Sequence, residues 1–367
     1  MNNKKIGIVT FHRAYNFGAA LQAYALQEEL HNSGNDSYRV AIVDYTPSCI
    51  SNRYRLIKID LSSTLSIIKS FINSILNLPF IYYKKRLFNY FIDKYFLLGS
   101  DNIDKYNIAV CGSDQIWNPS LTKGVNPFYY AESNYSGLVK ISYAASFGIS
   151  SIPELYRDSI KSSLLKFSKL SLREIDGVKI LEDELDISGA EVVLDPCFFL
   201  NAKQWMDIAR KYKGKKKYIV IYQFIQNNKL IQDAKEYARL NSCNIVELTV
   251  SYGKNLLRLN STYSIVVAAG PADFLGIIMN AEFVFTNSFH GSVFSMIFGK
   301  QFYSYPFSDR SSRLLSLLKQ VDLEDRFITT QECGFSKIIE YADVNNKLES
   351  LISKSRQFLH DSVASSL

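Results

Sequence analysis

Apolar and polar positions fall into blocks along this chain, and the blocks recur in one order: a short apolar run, a polar turn, then apolar residues at helical spacing. Ile6-Gly-Ile-Val-Thr10 reads as a buried strand. Ala19 to Leu30 reads as a helix with Leu21, Ala25 and Leu26 on one face, and Val40-Ala-Ile-Val-Asp44 as a second strand. Strand, helix and strand in this order predict a right-handed βαβ unit in a parallel sheet. Further strands are expected at Tyr106–Cys111, Val139–Ala145, Leu170–Leu172 and Glu191–Leu194. Each of the last four ends in polar or charged residues, as at the ligand edge of a doubly wound sheet.

A second series follows Asp195-Pro196. Strands are expected at Lys217–Tyr222, Asn244–Leu248, Tyr263–Val267, Phe283–Phe285 and Gln301–Tyr305, with helices over Leu230–Asn241 and Ala272–Asn280. The pattern predicts an α/β chain with one domain over 1–195 and a second over 196–340. An amphipathic helix at Asn345–Phe358, within a tail over 341–367, is expected to pack back on the first domain.

Residues 56–98 interrupt the first series. Leu61–Phe80 is apolar but broken by Lys69 and Pro79, too polar for a clean membrane span. A pair of amphipathic helices is expected, the second beginning at Lys84-Lys85-Arg86. One reading is an insertion packed on the first domain. The other is a patch resting on the inner membrane leaflet, where three basic residues contribute roughly 3 kcal/mol near anionic lipid.

Composition narrows the class. The chain has 367 residues, 47% hydrophobic and 21% charged, which is a soluble globular balance. The net charge of +7 is spread along the sequence, with no recognition helix, zinc finger or RNA-binding signature, so no nucleic-acid partner is expected. A mild basic excess suits small anionic substrates or an anionic membrane. Cys49, Cys111, Cys197, Cys243 and Cys333 are widely spaced without a CxxC, which points to a reducing cytosol and no disulfide framework. Met-Asn-Asn-Lys-Lys leads straight into a strand, so no signal peptide is expected. His12, His31, His290 and His360 do not form ligand spacings, and GxSxG, Walker and GxGxxG motifs are absent. Neither a metal nor a cofactor is predicted.

The candidate chemistry sits at strand ends. Phe283-Val-Phe-Thr-Asn-Ser-Phe-His290-Gly291 runs from a buried strand through a tight turn into a helix. It places His290 at a helix amino terminus, where backbone N–H groups attract anions. Gly112-Ser113-Asp114-Gln115-Ile116-Trp117-Asn118 surrounds one large ring with polar groups. It reads either as an Asx-type turn anchored by Trp117 or as a sugar site, with Trp117 stacking and Asp114, Gln115 and Asn118 binding hydroxyls. Arg173 beside Glu174 is either a structural ion pair or a guanidinium that grips a carboxylate or phosphate. Arg310 and Arg313 follow the last strand and are either surface arginines or further positive charge for the cleft. Asn16-Phe17-Gly18, ahead of a helix, is either a plain turn or an anion site.

Six pieces in order resemble the polysaccharide pyruvyl transferase family: Tyr15–Leu26, Gly112–Asn118, Ser142–Gly148, Ser171–Glu174, Val193–Pro196 and Thr286–Gly291. The resemblance implies a GT-B-like fold, two Rossmann-like domains facing a cleft, with the acceptor on the first and the donor on the second. It implies that phosphoenolpyruvate, as co-substrate, gives a pyruvate ketal on two sugar hydroxyls with release of phosphate. The family's arginine falls on Arg173 and its histidine on His290. Many members have Arg-Leu-His where this chain has Ser288-Phe289-His290, so an arginine is missing, and Arg310, Arg313 and Arg13 are candidates to replace it. On this reading His290, Asp114 and Asp195 are catalytic, and Arg173, Ser288, Gly291, Arg310 and Arg313 bind the donor. Asn16, Gly18, Ser113, Gln115, Trp117 and Asn118 bind the acceptor, a glycan expected to be linked to a polyprenyl diphosphate at the inner membrane face. A nucleotide-sugar glycosyltransferase and a non-catalytic glycan-binding protein are the alternatives.

Overall fold

The computed structural model describes residues 4–34, 37–51, 62–249, 262–307, 312–329, 335 and 337–367. Two fully parallel sheets organise it. The first contains β1 (Lys4–Val9), β2 (Tyr38–Ile42), β3 (Ile108–Cys111) and β4 (Val139–Ser142) in the order β2-β1-β3-β4. A short parallel pair, β5 (Ser171–Leu172) and β6 (Glu191–Val192), joins the outer edge of β4 through bridges Ile141–Lys169 and Ala145–Leu172. The second sheet contains β7 (Tyr218–Gln223), β8 (Asn244–Thr249), β9 (Tyr263–Val266), β10 (Phe283–Thr286) and β11 (Gln301–Ser304), in the order β11-β10-β7-β8-β9. Strands β3, β7 and β10 are buried at every position. That is why they read as unbroken apolar runs: helices cover both faces of a parallel sheet.

The Phe17–Ser33 helix joins the two units. Asn16 caps it, its side chain accepting from Ala19 N at 3.2 Å. Its first residue, Phe17, stacks on Phe274 of the second unit at 4.8 Å and on Phe88 at 5.6 Å. One hydrophobic core therefore runs through both sheets, from Ile6 and Ile8 to Val220 and Val284.

Residues 64–95 depart from the expected pair of helices. They form a single helix, Thr64–Tyr95, which continues through Pro79. The proline removes one backbone donor, but Ile75, whose carbonyl loses that partner, is exposed and water can satisfy it. Residues 56–61 of the expected insertion lie outside the described residues.

The Tyr341–Ala364 helix crosses to the first unit. Arg356 and His360 both reach Glu29, each at 3.0 Å, and Lys4 donates to backbone carbonyls at the carboxyl terminus. Ser355 Oγ accepts from Leu194 N at 3.0 Å, which ties this helix to the strand end before Asp195.

Strand order reverses between β1 and β3 in one sheet and between β7 and β10 in the other. Such reversals leave a crevice at the carboxyl ends of the strands. Both crevices open onto one cavity of about 230 Å³, lined by Phe11, Asn16 and Asp114 from the first unit and by Phe224, Asn287 and His290 from the second. The architecture is α/β and GT-B-like, two Rossmann-like units with the cleft between them.

Candidate active site

The wall from the first unit is the turn after β3. Gly112 has φ 132, and a side chain there would meet the Tyr143 carbonyl oxygen at 2.0 Å, so only glycine fits. Asp114 sits at φ 77, a costly conformation for a residue with a side chain. The turn is held from several directions. Ser146 N donates to the Asp114 carbonyl at 3.0 Å and Gln115 N to Asp114 Oδ1 at 2.8 Å. Gln22, buried on the Phe17–Ser33 helix, accepts from Ser113 N at 3.2 Å and donates to Thr10 Oγ1 at 2.9 Å. Asp114 is thereby fixed at the cavity wall.

Asp195 is the hub. Its Oδ1 accepts from Cys197 N at 3.0 Å, and its Oδ2 accepts from Arg173 Nη1 at 2.7 Å. His290 Nε2 stands 3.4 Å from the same Oδ2, poorly aligned for a hydrogen bond. Burial opposes ionisation of Asp195, yet the charges of His290 and Arg173 outweigh it and hold the carboxyl well below the usual range. Burial likewise works against the Arg173 guanidinium, but Asp195 and Asp114, the latter 3.6 Å away, raise its pKa further. Phe289 covers the guanidinium, with its ring centroid 4.6 Å from Cζ.

This hub leaves donors over. Arg173 Nε and Nη2 and His290 Nε2 are buried without a hydrogen-bond partner. Buried polar atoms are nearly always satisfied, and donors of this kind can give a charge-assisted hydrogen bond to an anionic acceptor.

The wall from the second unit starts with Ser288, which caps the Phe289–Ile297 helix through Gly291 N at 3.4 Å. Arg313, on the Ser312–Gln320 helix, faces back across the cleft. With its amide oxygen turned toward it, Gln115 accepts from both Nη atoms of Arg313, at 3.1 and 3.2 Å. Burial pushes Glu174 up, while the nearby Arg313 and Arg173 charges pull it back only in part. Its Oε1 accepts from Ser146 Oγ at 2.6 Å.

The expected residues sort by position. Asn16, Asp114, Gln115, Ser288, His290 and Arg313 line the cavity. Arg173 and Asp195 lie directly behind, touching Asp114 and His290, and Ser113 Oγ is 3.5 Å from Asp195. Two expectations need correction. Trp117 is 1% exposed, donates Nε1 to the Tyr129 carbonyl and stacks on Tyr130; it anchors the turn and offers no face to a sugar. Asn118 is fully buried and caps the Pro119–Thr122 helix, because its carboxamide is spent on Ser120 N at 2.9 Å. Gly18 seats the His290 ring, which lies where a side chain would otherwise stand. Gly291 faces the Thr286 side chain at the end of β10 and is not among the residues that line the cavity. Arg310 lies outside the described residues. Arg13 is engaged with both oxygens of Asp44, at 2.6 and 2.7 Å, which leaves Arg313 as the arginine at the cavity among the described residues.

Several site residues escape a reading of the sequence. Gln22, Ser355 and Tyr143 act on the Ser113 and Leu194 backbone from distant helices and strands. Phe289 reads as an ordinary core aromatic. Asp195, Cys197 and His290 bring ligand atoms within 4.8 Å of one another, a spacing that admits a metal. The donor set fits one poorly. Arg173 already occupies Asp195, and burial together with the Asp195 charge holds the Cys197 thiol well above its ordinary pKa.

The profile of the polysaccharide pyruvyl transferase family matches residues 16–308. No curated protein matches the chain. Among solved structures, a protein assigned as a UDP-N-acetylglucosamine 2-epimerase in Listeria monocytogenes aligns over 98% of this chain and 90% of its own, with 10% identity and a TM-score of 0.52. A UDP-N-acetylglucosamine 2-epimerase from Rickettsia bellii aligns over 99% and 96%, with 12% identity and a TM-score of 0.47. The first supports the fold alone; the family match spans most of the chain and includes the Asp114, Arg173, Asp195 and His290 turns, so this chain belongs to the polysaccharide pyruvyl transferase family.

Proposed function

We propose that the protein transfers the pyruvyl group of phosphoenolpyruvate to two hydroxyls of a sugar in a cell-surface polysaccharide precursor, with a lipid-linked glycan as acceptor. The observation that carries this reading is the set of buried donors that make no hydrogen bond, Arg173 Nε and Nη2 and His290 Nε2, beside a cavity that Arg313 also lines. Phosphoenolpyruvate carries a carboxylate and a phosphate, and guanidinium groups match both. Arg173 and Arg313 hold the donor, and Arg313 stands in for the arginine absent at position 288.

In the reaction a proton adds to the methylene carbon, which becomes a methyl group. The first sugar hydroxyl then bonds to the central carbon and loses its proton. The bond from that carbon to the phosphate oxygen breaks, and the second hydroxyl closes the ketal, its proton leaving with phosphate. His290 transfers protons, as imidazole can near neutral pH, with the Asp195 carboxylate 3.4 Å from its Nε2. Asp114 orients the acceptor hydroxyls with Asn16 and Gln115. Phe224, half-buried on the cavity wall, takes the stacking role expected of Trp117.

The test is phosphate release from phosphoenolpyruvate with galactose-, mannose- and glucosamine-terminated acceptors, with product masses recorded. A product heavier by one pyruvyl ketal establishes the reaction. Tight binding of a nucleotide sugar with no turnover of phosphoenolpyruvate moves the chain to sugar transfer instead. Sugar binding with no turnover of either donor, and insensitivity to replacement of His290, makes it a glycan-binding protein.

A further inference from the structure

The Thr64–Tyr95 helix is apolar on two sides. Its inner face ends in Phe88, Phe91 and Ile92, which are fully buried in the core. Its outer face is also apolar: Phe71, Ile72, Ile75, Leu76, Tyr82 and Tyr83 are all exposed, Leu76 at 67%. At 1.5 Å per residue the stretch from Phe71 to Tyr83 is roughly 18 Å long. Apolar surface of that extent on one element marks an interaction site, and no helix among the described residues is long and apolar enough to cross a membrane.

Charge selects the occupant. No acidic residue occurs between Asp60 and Asp93, while Lys69, Lys84, Lys85 and Arg86 do. Lys84 turns inward, its Nζ 5.5 Å from the Phe17 ring. Arg86 is exposed at the end of the apolar stretch, and Lys85 is half-buried, its Nζ 5.6 Å from the Tyr15 ring. Leucine and isoleucine, flanking tyrosines and adjacent cations without acids are the chemistry of a helix lying in a lipid interface. We infer that this face docks on an anionic bilayer surface. The same helix borders the cleft: Tyr15, the neighbour of cavity residue Asn16, donates its hydroxyl to Asn89 at 3.2 Å and packs on Phe88 at 5.6 Å. Docking would bring the acceptor side of the cavity to the lipid surface, whatever reaction the cavity performs.

The experiment is co-sedimentation of the purified full chain with phosphatidylcholine vesicles, with and without phosphatidylglycerol. Binding to the anionic vesicles, weakened by salt, is expected. Lys85→Ala together with Arg86→Ala should weaken it by roughly thirtyfold. Leu76→Glu and Ile72→Glu, on exposed positions, should each abolish it while leaving the far-ultraviolet spectrum and the turnover of a water-soluble acceptor unchanged. No binding to anionic vesicles overturns the inference, as does equal binding to both vesicle types. A dimer in solution that Leu76→Glu dissociates, without vesicle binding, assigns the face to a second copy of the chain and also overturns it.

Discussion

The His290 ring lies on the backbone of Gly18: an ideal Cβ at Gly18 would stand 2.0 Å from Nδ1. Two residues far apart in sequence, one from each unit, meet where the Phe17–Ser33 helix enters the cleft. Alanine ordinarily favours a helix over glycine by about 1 kcal/mol, so Gly18→Ala separates packing from helix propensity. The substitution is expected to keep the fold and to lower kcat about a hundredfold by displacing the imidazole. Steady-state kinetics and a thermal melt check it; wild-type kcat would remove His290 from the chemistry.

Arg173 and Asp195 are expected to act as one buried unit. Arg173→Ala leaves a buried carboxylate uncompensated and should cost about 3–5 kcal/mol of stability. Arg173→Lys keeps the charge but loses the planar fork, so it should stay folded while losing affinity for phosphoenolpyruvate. Urea denaturation and calorimetric titration of phosphoenolpyruvate distinguish the two variants.

Acid should reveal Asp195. Its folded pKa is depressed, so the stability it contributes is complete above the unfolded value of about 3.9 and is lost as pH falls below that. The loss should approach about 1.4 kcal/mol per pH unit from this group alone. Urea denaturation at a series of acidic pH values should give a shallower slope for Asp195→Asn, and an unchanged slope would show that other carboxylates govern the transition.

Arg313→Ala is expected to raise KM for phosphoenolpyruvate by about ten- to a hundredfold, the range of a lost charge-assisted hydrogen bond. KM for the sugar should hardly move. An effect on the sugar alone would place the donor elsewhere in the cleft.

Trp117→Ala should destabilise the protein by about 3–5 kcal/mol, as expected when a large buried ring is removed. Trp117→Phe should keep acceptor KM near wild type. A specific loss of sugar affinity in Trp117→Phe would restore the ring as a sugar platform.

The sequence carried the elements because their signals are local. Parallel strands buried on both faces must be runs such as Ile108–Cys111 and Phe283–Thr286, and strand ends that open onto a crevice turn polar, here at Asp114, Arg173 and His290. It misled where the same residue type serves two environments. Trp117 and Asn118 sit among polar neighbours in sequence and inside the core in space. Pro79 signals a break that the Thr64–Tyr95 helix does not make.

Composition, the succession of strands and helices along the chain and the polar turns at strand ends were thus determined by the sequence alone, since each depends on residues close along the chain. Only the tertiary structure decided which of those turns share one cavity and what holds them. Asp195 is set by Ser355 and Tyr143 through the Leu194 backbone, and His290 is seated on Gly18. Arg313, rather than Arg13, reaches the cleft because Arg13 is engaged with Asp44. These pairings join residues from 31 positions apart, Arg13 and Asp44, to 161 apart, Leu194 and Ser355, and farther still for Gly18 and His290. No local period encodes such contacts; they exist only once the two sheets close on a common core.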